Sequence, residues 1–511
     1  MKLQPAMMFG ENMVLQRGEP VPVWGRSVRG DTVTVTLGGH TAAAAAENGR
    51  WRVLLPPMEA ADRITMEITS QRTGERLVFE NAAIGEVWLA GGQSNMEFLL
   101  KYDELAEEMY QDQEDPGLRF FRYPQVNFPG CLEQNAYPDD GFWRRWDSRE
   151  NRGMFSAVAA YMGRQLRRAL GVPVGFIGVN WGGTPAAAWT SWEALAENPA
   201  LKPVLDWYQE SCASLDLSKY YQASDKPAPD PSPQEQARMD RFMMGIGLEE
   251  LLSKDPPPLP PPADYTPYLP GPRSAVRPAG LYSSMLKQVA PYGVRGAVWY
   301  QGEDDDARGW QDFYDESMKA LIQSWRNLWN KELPFLQVEL APFGDKYFNG
   351  AKAYFTMREK QRAAASALPG VHNVCILDAG DEVNIHVRKK RPVGERLALL
   401  ARKYVYGETS LLADSPQCTG GVREGDTLRL SFQNAGDGLM LRGSLEGLLR
   451  VTADGKPVSP AAAVEGSQLV LTAGELAGAG SVQVQFAQVN YCQMPLFGST
   501  GLPAFPFILT L

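Results

Sequence analysis

At 511 residues the chain is too long for one compact core, and at roughly 150 residues per domain two to four domains are expected. Apolar residues make up 44% and charged residues 22%, which excludes a disordered or collagen-like chain. Lys and Arg number 50 against 60 Asp and Glu, a net charge of -10 that repels phosphate backbones and anionic lipid, so neither nucleic acid nor a membrane surface is expected as a partner. The cysteines, Cys131, Cys212, Cys375, Cys418 and Cys492, are scattered and never stand as CxxC. That argues against a disulfide framework or structural zinc site and fits a reducing compartment. The first residues lack an apolar stretch followed by a small-residue cleavage site, and no run near 18 apolar residues follows, so the expected location is cytoplasmic.

From Met13 to about Ala83 the pattern has period two. Val33, Val35 and Leu37 alternate with threonines, as do Ile64, Met66 and Ile68 with polar residues, which predicts an N-terminal β-sandwich domain over residues 1–83. From Ile84 short continuous apolar runs alternate with helix-period segments, the pattern of an α/β domain with a parallel sheet covered on both faces, over residues 84–406. The predicted strands are Val87–Ala90, Val174–Val179, Gly296–Tyr300, Phe335–Leu340 and Val374–Leu377. Helical spacing is read over Phe155–Leu170 and from Trp310 to Leu328, and Pro392 suits the first turn of a further helix. Asp206 to about Pro272 breaks the rhythm with proline clusters, including Pro256 to Pro262, and is read as an insertion on the domain surface, either mobile or acting as a lid; Gln234–Leu252 is its helical candidate. Alternation returns with Leu428, Leu430, Phe432 and Val482, Val484, Phe486, predicting a C-terminal β domain over residues 407–511.

Chemistry concentrates where strands end. The strand Val87–Ala90 runs into Gly91-Gly92-Gln93-Ser94-Asn95-Met96, which puts Ser94 at the carboxyl end of a sheet strand, where open α/β folds place ligands. A serine there either caps the following helix or attacks substrate next to unpaired amides. Gly182-Gly183 follows the next strand and Gln301-Gly302-Glu303 the one after, and glycine amides with a glutamine side chain form a donor set suited to an oxyanion. Serine attack on an acyl carbon needs a base that titrates near neutrality. Of the three histidines, His40 lies in a turn of the first β domain and His372 just before a strand, whereas His386 falls in a loop at the same sheet edge as Ser94. Asp304-Asp305-Asp306 lacks a metal-ligand loop pattern and reads as a solvated acidic loop.

Taken in order, GQSNM at 92–96, WGGT at 181–184, WYQGE at 299–303 and the Ile385-His386…Lys390…Val393-Gly394-Glu395-Arg396 segment resemble the sialate O-acetylesterase family of SGNH-type serine hydrolases. Met13-Val14-Leu15-Gln16-Arg17 and Gly501-Leu502-Pro503-Ala504-Phe505 extend the resemblance to both ends. It implies an SGNH-hydrolase-like α/β fold, a three-layer parallel-sheet core flanked by N- and C-terminal β domains. It also implies an esterase acting on acetylated sugars or glycans, with Ser94 as nucleophile, His386 as base, and the Ser94 amide, Gly182 or Gly183, and Gln301 as oxyanion donors, without metal or other cofactor. The family's Asp and Pro around the histidine are absent here. The resemblance leaves three ways to orient the imidazole: Asp381, Asp378, or a main-chain carbonyl near Val383 in a Ser–His dyad. It departs again at residues 304–306, where relatives carry Ser-Asn. The implied substrate is an O-acetylated sialic acid, with acetylated xylan as the alternative, and a glycan-binding protein with an impaired hydrolase core as the reading from another class. No oligomeric state follows from these residues.

Overall fold

The strand that leads to Ser94 is far longer than its apolar run predicts. In the computed structural model, which describes residues 2–131, 140–225, 232–246, 268–344 and 350–511, it extends from Arg76 to Gly92 (β1). Its first part pairs antiparallel with Ala61–Ser70, and its second part pairs parallel with a strand on either side. Burial follows the change of partners: residues 76–81 are exposed or half-buried, while every residue from Ala82 to Gly92 is buried, as a strand covered on both faces requires. One continuous strand thus crosses positions 83 and 84, where the periodicity of the sequence changes.

In chain order β1 is followed by a short helix, Ser94–Glu97 (α1), strand Asp115–Arg122 (β2), helix Ala157–Leu170 (α2), strand Val174–Asn180 (β3) and helix Pro233–Met243 (α3). Then come strand Gly296–Tyr300 (β4), helices Glu303–Arg308 (α4) and Tyr314–Trp329 (α5), strand Phe335–Val338 (β5), helix Tyr354–Ala367 (α6), strand Val371–Val374 (β6) and helix Arg391–Tyr404 (α7). Across the sheet these strands run parallel in the order β2, β3, β1, β4, β5, β6, with Trp143–Trp146 antiparallel on the β2 edge. The winding reverses beside β1, and in open parallel sheets such a reversal opens a crevice at the carboxyl ends of the strands.

Because successive side chains point to opposite faces of a strand, the sheet feeds two buried clusters. Trp88, Ala90, Phe176, Val298 and Tyr300 join α2 and α7 in one; Leu89, Ile177, Val179, Ala297 and Trp299 join α5 and α6 in the other. The fold is thus α/β, with mixed sheets and helices. Smaller antiparallel sheets form from residues 4–55 and 417–510. Val33, Val35 and Leu37, on a strand that extends the large sheet by pairing with Ala61–Ser70, and Leu428, Leu430, Val482, Val484 and Phe486 in the C-terminal sheets, are fully buried on the alternating face the sequence predicts. Among the described residues no helix is long and apolar enough to cross a membrane.

Three expectations need correction. The strand predicted at Val374–Leu377 lies at Val371–Val374; Cys375 and Leu377 continue the apolar run because they pack into the cluster of the C-terminal sheets. The strand Asp115–Arg122, buried from Gly117 to Phe121, was not anticipated behind its Asp-Pro-Gly start. Asp206 does not begin an irregular segment: it sits inside a helix, Lys202–Ala213, that tolerates Pro203 in its first turn. Within the rest of the insertion α3 overlaps the predicted helical candidate, beginning one residue earlier at Pro233 and ending at Met243; residues 247–252 and the prolines from 256 to 262 lie outside the described residues.

Helices α2 and α7 cross at Gly394, where a Cβ would stand 2.6 Å from Val158 O and 2.5 Å from Tyr161 Cβ. Gly394→Ala is expected to lower unfolding free energy by about 1–3 kcal/mol through overpacking, although alanine is the better helix former. Urea denaturation checks this; unchanged stability would mean the helices can part freely.

Candidate active site

The turn after β1 is built by Gly92, whose φ of 137° and close approach to β4 exclude a side chain: a Cβ would lie 2.1 Å from Tyr300 O. Gln93 N–H donates to that same carbonyl at 3.1 Å. Ser94 is then the first residue of α1, and Gln93 is the cap residue, with no side-chain capping bond. The hydroxyl of Ser94 is therefore not a helix cap. It lines a cavity of about 880 Å³, together with Gly182, Gly183 and His386.

Gly182 stands beside the serine, its Cβ direction ending 3.1 Å from Ser94 Cβ. Its N–H is occupied, donating to Glu97 Oε2 at 2.9 Å, while Glu97 Oε1 accepts from Arg122 at 3.2 Å and Gln125 at 3.0 Å. The amide of Gly183 has no acceptor among the described residues, which separates the two glycines as donors. Gln301 is not brought to the cavity. It is fully buried below it, with Nε2 donating to Asp305 Oδ2 (2.5 Å) and Thr184 O (3.2 Å) and Oε1 accepting from Tyr314 (2.8 Å). The cavity-lining amide is instead that of Gln93: Oε1 accepts from the N–H groups of Gly302 (3.4 Å) and Asp304 (3.2 Å), which turns Nε2 away from them, and Nε2 has no acceptor among the described residues. Sequence reasoning passed over Gln93 although it adjoins Ser94; its only signal was that neighbouring position.

His386 reaches the same cavity from the loop after β6. Its backbone N–H donates to Asn384 Oδ1 at 2.9 Å, and Asp381 Oδ1 accepts from Val383 N and Asn384 N at 2.8 Å each. Asp381 thus shapes the loop through its amides. Asp378 is bidentate with Arg396, at 2.7 Å to each oxygen. Neither carboxylate bonds the imidazole, whose Nδ1 is buried with no partner among the described residues. Burial pushes the imidazole down to about 4, with the Lys390 charge adding to the effect, so it is neutral at pH 7 but a weaker base than the near-neutral one expected from the sequence.

What joins the two loops is a buried polar network that the sequence did not announce. Asn95 Nδ2 donates to Ile385 O at 3.0 Å and to Glu303 Oε1 at 2.5 Å, and its Oδ1 accepts from Lys390 Nζ at 2.5 Å. Lys390 N–H donates to Asp103 Oδ2 at 3.1 Å, and Asp103 Oδ1 accepts from Tyr161 at 2.6 Å. Burial pushes Lys390 down to about 7, against the pull of Glu303 and Asp103, and pushes Glu303 up. Glu303 Oε2 is buried with no partner among the described residues, and Glu303 also lines the cavity.

The three aspartates after Glu303 are not a solvated loop. They form the first turn of α4, where negative charge suits the helix dipole. Asp305 and Asp306 are each 1% exposed. Asp305 Oδ2 accepts from Ala186 N (3.0 Å) as well as from Gln301, Asp306 accepts from Lys352 N and Ala353 N (2.8 Å each), and Asp304 pairs with Arg308. Residue type alone cannot reveal such burial, because it depends on backbone N–H groups delivered from two distant loops. Among the described residues no group of His, Cys, Asp or Glu is arranged to hold a metal ion.

A serine, a neutral imidazole and uncommitted amides line one cavity at the switch point of a parallel sheet, an arrangement able to hydrolyse esters, and the known proteins similar to this chain include carbohydrate esterases. Residues 273–403 match the carbohydrate esterase family described as sialic acid-specific acetylesterase. The sialate O-acetylesterase of Rattus norvegicus is 26% identical over 450 residues, 79% of this chain and 74% of the relative; that of Homo sapiens is 25% identical over 445 residues, 80% and 72%. A crystal structure of a carbohydrate acetylesterase from Xanthomonas citri superposes with a TM-score of 0.74 at 26% identity, covering 99% of both chains. Over most of its length the chain is thus similar to sialate O-acetylesterases and to a solved carbohydrate acetylesterase, with the esterase family model matching its residues 273–403.

Asn95→Ala would leave Lys390 and Glu303 buried without their shared amide. Removing one partner of a buried charged set costs about 3–5 kcal/mol, so a marked drop in thermal midpoint is expected, with loss of esterase activity below that midpoint. Wild-type activity in the folded variant would show that the two loops hold their places without Asn95.

Proposed function

We propose that this chain removes O-acetyl groups from carbohydrates through an acetyl-enzyme on Ser94. The observation that carries the reading is the meeting of Ser94 and His386 at one cavity with the Gly183 amide and the Gln93 side chain beside them. Ser94 Oγ attacks the acetyl carbonyl carbon as the imidazole takes its proton. The oxyanion is met by the N–H groups of Ser94 and Gly183 and by Gln93 Nε2. The bond from carbon to the sugar oxygen then breaks, the imidazolium protonates that oxygen, and water activated by the same imidazole releases acetate and restores the serine. The architecture that supports this chemistry reads as an SGNH-hydrolase-like three-layer core over residues 84–406, with β domains on either side.

Relatives named for sialate esters make O-acetylated sialic acid one substrate. The cavity itself favours a neutral acetylated sugar such as an acetylated xylo-oligosaccharide. Glu97, Asp140, Glu303, Asp304 and Asp306 line it, and its two cations already face carboxylates, Arg122 with Glu97 and Asp140 and Lys101 with Asp240. A sialic acid carboxylate would enter an acidic field. Acetate release from the two substrates, assayed side by side, is expected to be faster from the neutral one.

Ser94→Ala is expected to abolish p-nitrophenyl acetate hydrolysis and labelling by a fluorophosphonate with the fold intact. Full activity in that variant would remove the serine mechanism, and glycan binding without labelling of the unaltered chain would favour a glycan-binding protein instead. Asp381→Asn retains an oxygen for the Val383 and Asn384 amides, so it is expected to keep activity within a few-fold. A loss near about 10⁴-fold, the size expected when a triad carboxylate is neutralised, would make Asp381 the orienting residue after all.

A further inference from the structure

Helix α3 belongs to the insertion, yet one of its faces looks into the cavity: Gln236, Met239, Phe242 and Met243 all line it, at the three- and four-residue spacing of one helical stripe. The helix is tied down from the opposite side of the site. Asp240 Oδ1 accepts from Tyr102 Oη at 2.6 Å and from Gln236 Nε2 at 2.9 Å, with Lys101 Nζ at 3.8 Å, while Met243 packs against the core cluster of α2 and α7. Phe242 meets the base directly, its ring centroid 5.4 Å from that of His386 at an interplanar angle of 79°. An edge-to-face pair of this kind fixes ring orientation as well as excluding water. With Nδ1 bonded to no described residue, ring packing is the interaction left to hold the imidazole.

We propose that α3 forms the leaving-group side of the active site, with Phe242 as the positioning residue of His386 and Met239 and Met243 completing a seat for the apolar face of the departing sugar. The inference rests on the serine esterase reading. The imidazole returns its proton to the sugar oxygen, so whatever packs around the imidazole must border the sugar. Thioether and aromatic surfaces suit the C–H face of a neutral pyranose. Lys390, from its own loop, also bears on the imidazole charge; the charged groups that face the cavity from the other elements are Glu97 and Lys101 from the segment after β1, Lys101 pairing with Asp240 of α3, and Glu303, Asp304 and Asp306 from α4. None of these is altered by changing Phe242.

The test is steady-state kinetics of three variants across pH, on ethyl acetate and on the acetylated sugar that the enzyme turns over. Phe242→Ala is expected to lower kcat on both substrates about 10-fold or more, since small misplacements of a reacting group have such effects. It should also move the acid limb of kcat/KM upward from about 4 toward the ordinary 6.5, because the imidazole becomes hydrated. Phe242→Leu should recover much of both. Met239→Ser, at a side chain 54% exposed, should raise KM for the acetylated sugar several-fold more than it raises KM for ethyl acetate. An unmoved acid limb in Phe242→Ala, or equal effects of Met239→Ser on both substrates, overturns the proposal. Ser94→Ala in the same assay separates the two readings: if it is inactive while the α3 variants behave as wild type, only the role of α3 fails, and if it is active, the serine mechanism fails.

Discussion

A single buried lysine sets the geometry on which the site depends. Lys390 is 0% exposed, and a cation in that position is tolerable only if its surroundings replace water. Asn95 Oδ1 takes its Nζ, the rings of Phe98 and Tyr300 lie 4.8 and 5.3 Å away, and its own N–H is held by Asp103. Those partners come from residues 95–103, the segment after β1, and from β4. The loop that carries His386 is thereby pinned to the segment after β1, and His386 lines the same cavity as Ser94. Asn95 and Ile385, 290 positions apart in the chain, are joined by one hydrogen bond as a result.

Carboxylates do much of the building around this site, and most of them act on backbone rather than on substrate. Glu97 takes the Gly182 amide, Asp305 the Ala186 amide, Asp306 two amides from residues 352 and 353, and Asp381 two from its own loop. Where parallel strands stop, their successors leave N–H groups unpaired, and an ionised oxygen is the strongest acceptor available to them. The same economy of donors decides which amides remain for an oxyanion. With Gly182 held by Glu97 and Gln301 held by Asp305, the uncommitted donors are Gly183 and Gln93. Of these backbone-organising carboxylates, Glu97 and Asp306 also line the cavity.

The insertion illustrates how packing can reassign a segment. Its prolines mark it as irregular, and its polar helix looks like surface. Yet Met239, Phe242 and Met243 lie three and four residues apart, and Asp240 on the adjoining face finds Tyr102 and Lys101. A helix that would otherwise be dispensable becomes a wall of the cavity because two faces of it are satisfied at once.

Local rules made much of this legible. Continuous apolar runs placed β1, β3, β4 and β5, alternation placed Val33, Val35 and Leu37 and the Leu428 and Val482 strands on their buried faces, and the glycine-flanked Ser94 and the loop position of His386 marked two residues that line one cavity. Each of these depends on interactions within a few residues, which a sequence records directly. The tertiary structure decided the rest: that Gln93 and not Gln301 reaches the cavity, that Asp381 and Asp378 serve the loop and Arg396, that residues 304–306 are buried, and that Phe242 touches the base. Those outcomes turn on which donor meets which acceptor across the chain. Glutamine or aspartate reads the same in a sequence whether its partner is water or a buried amide supplied from a hundred residues away.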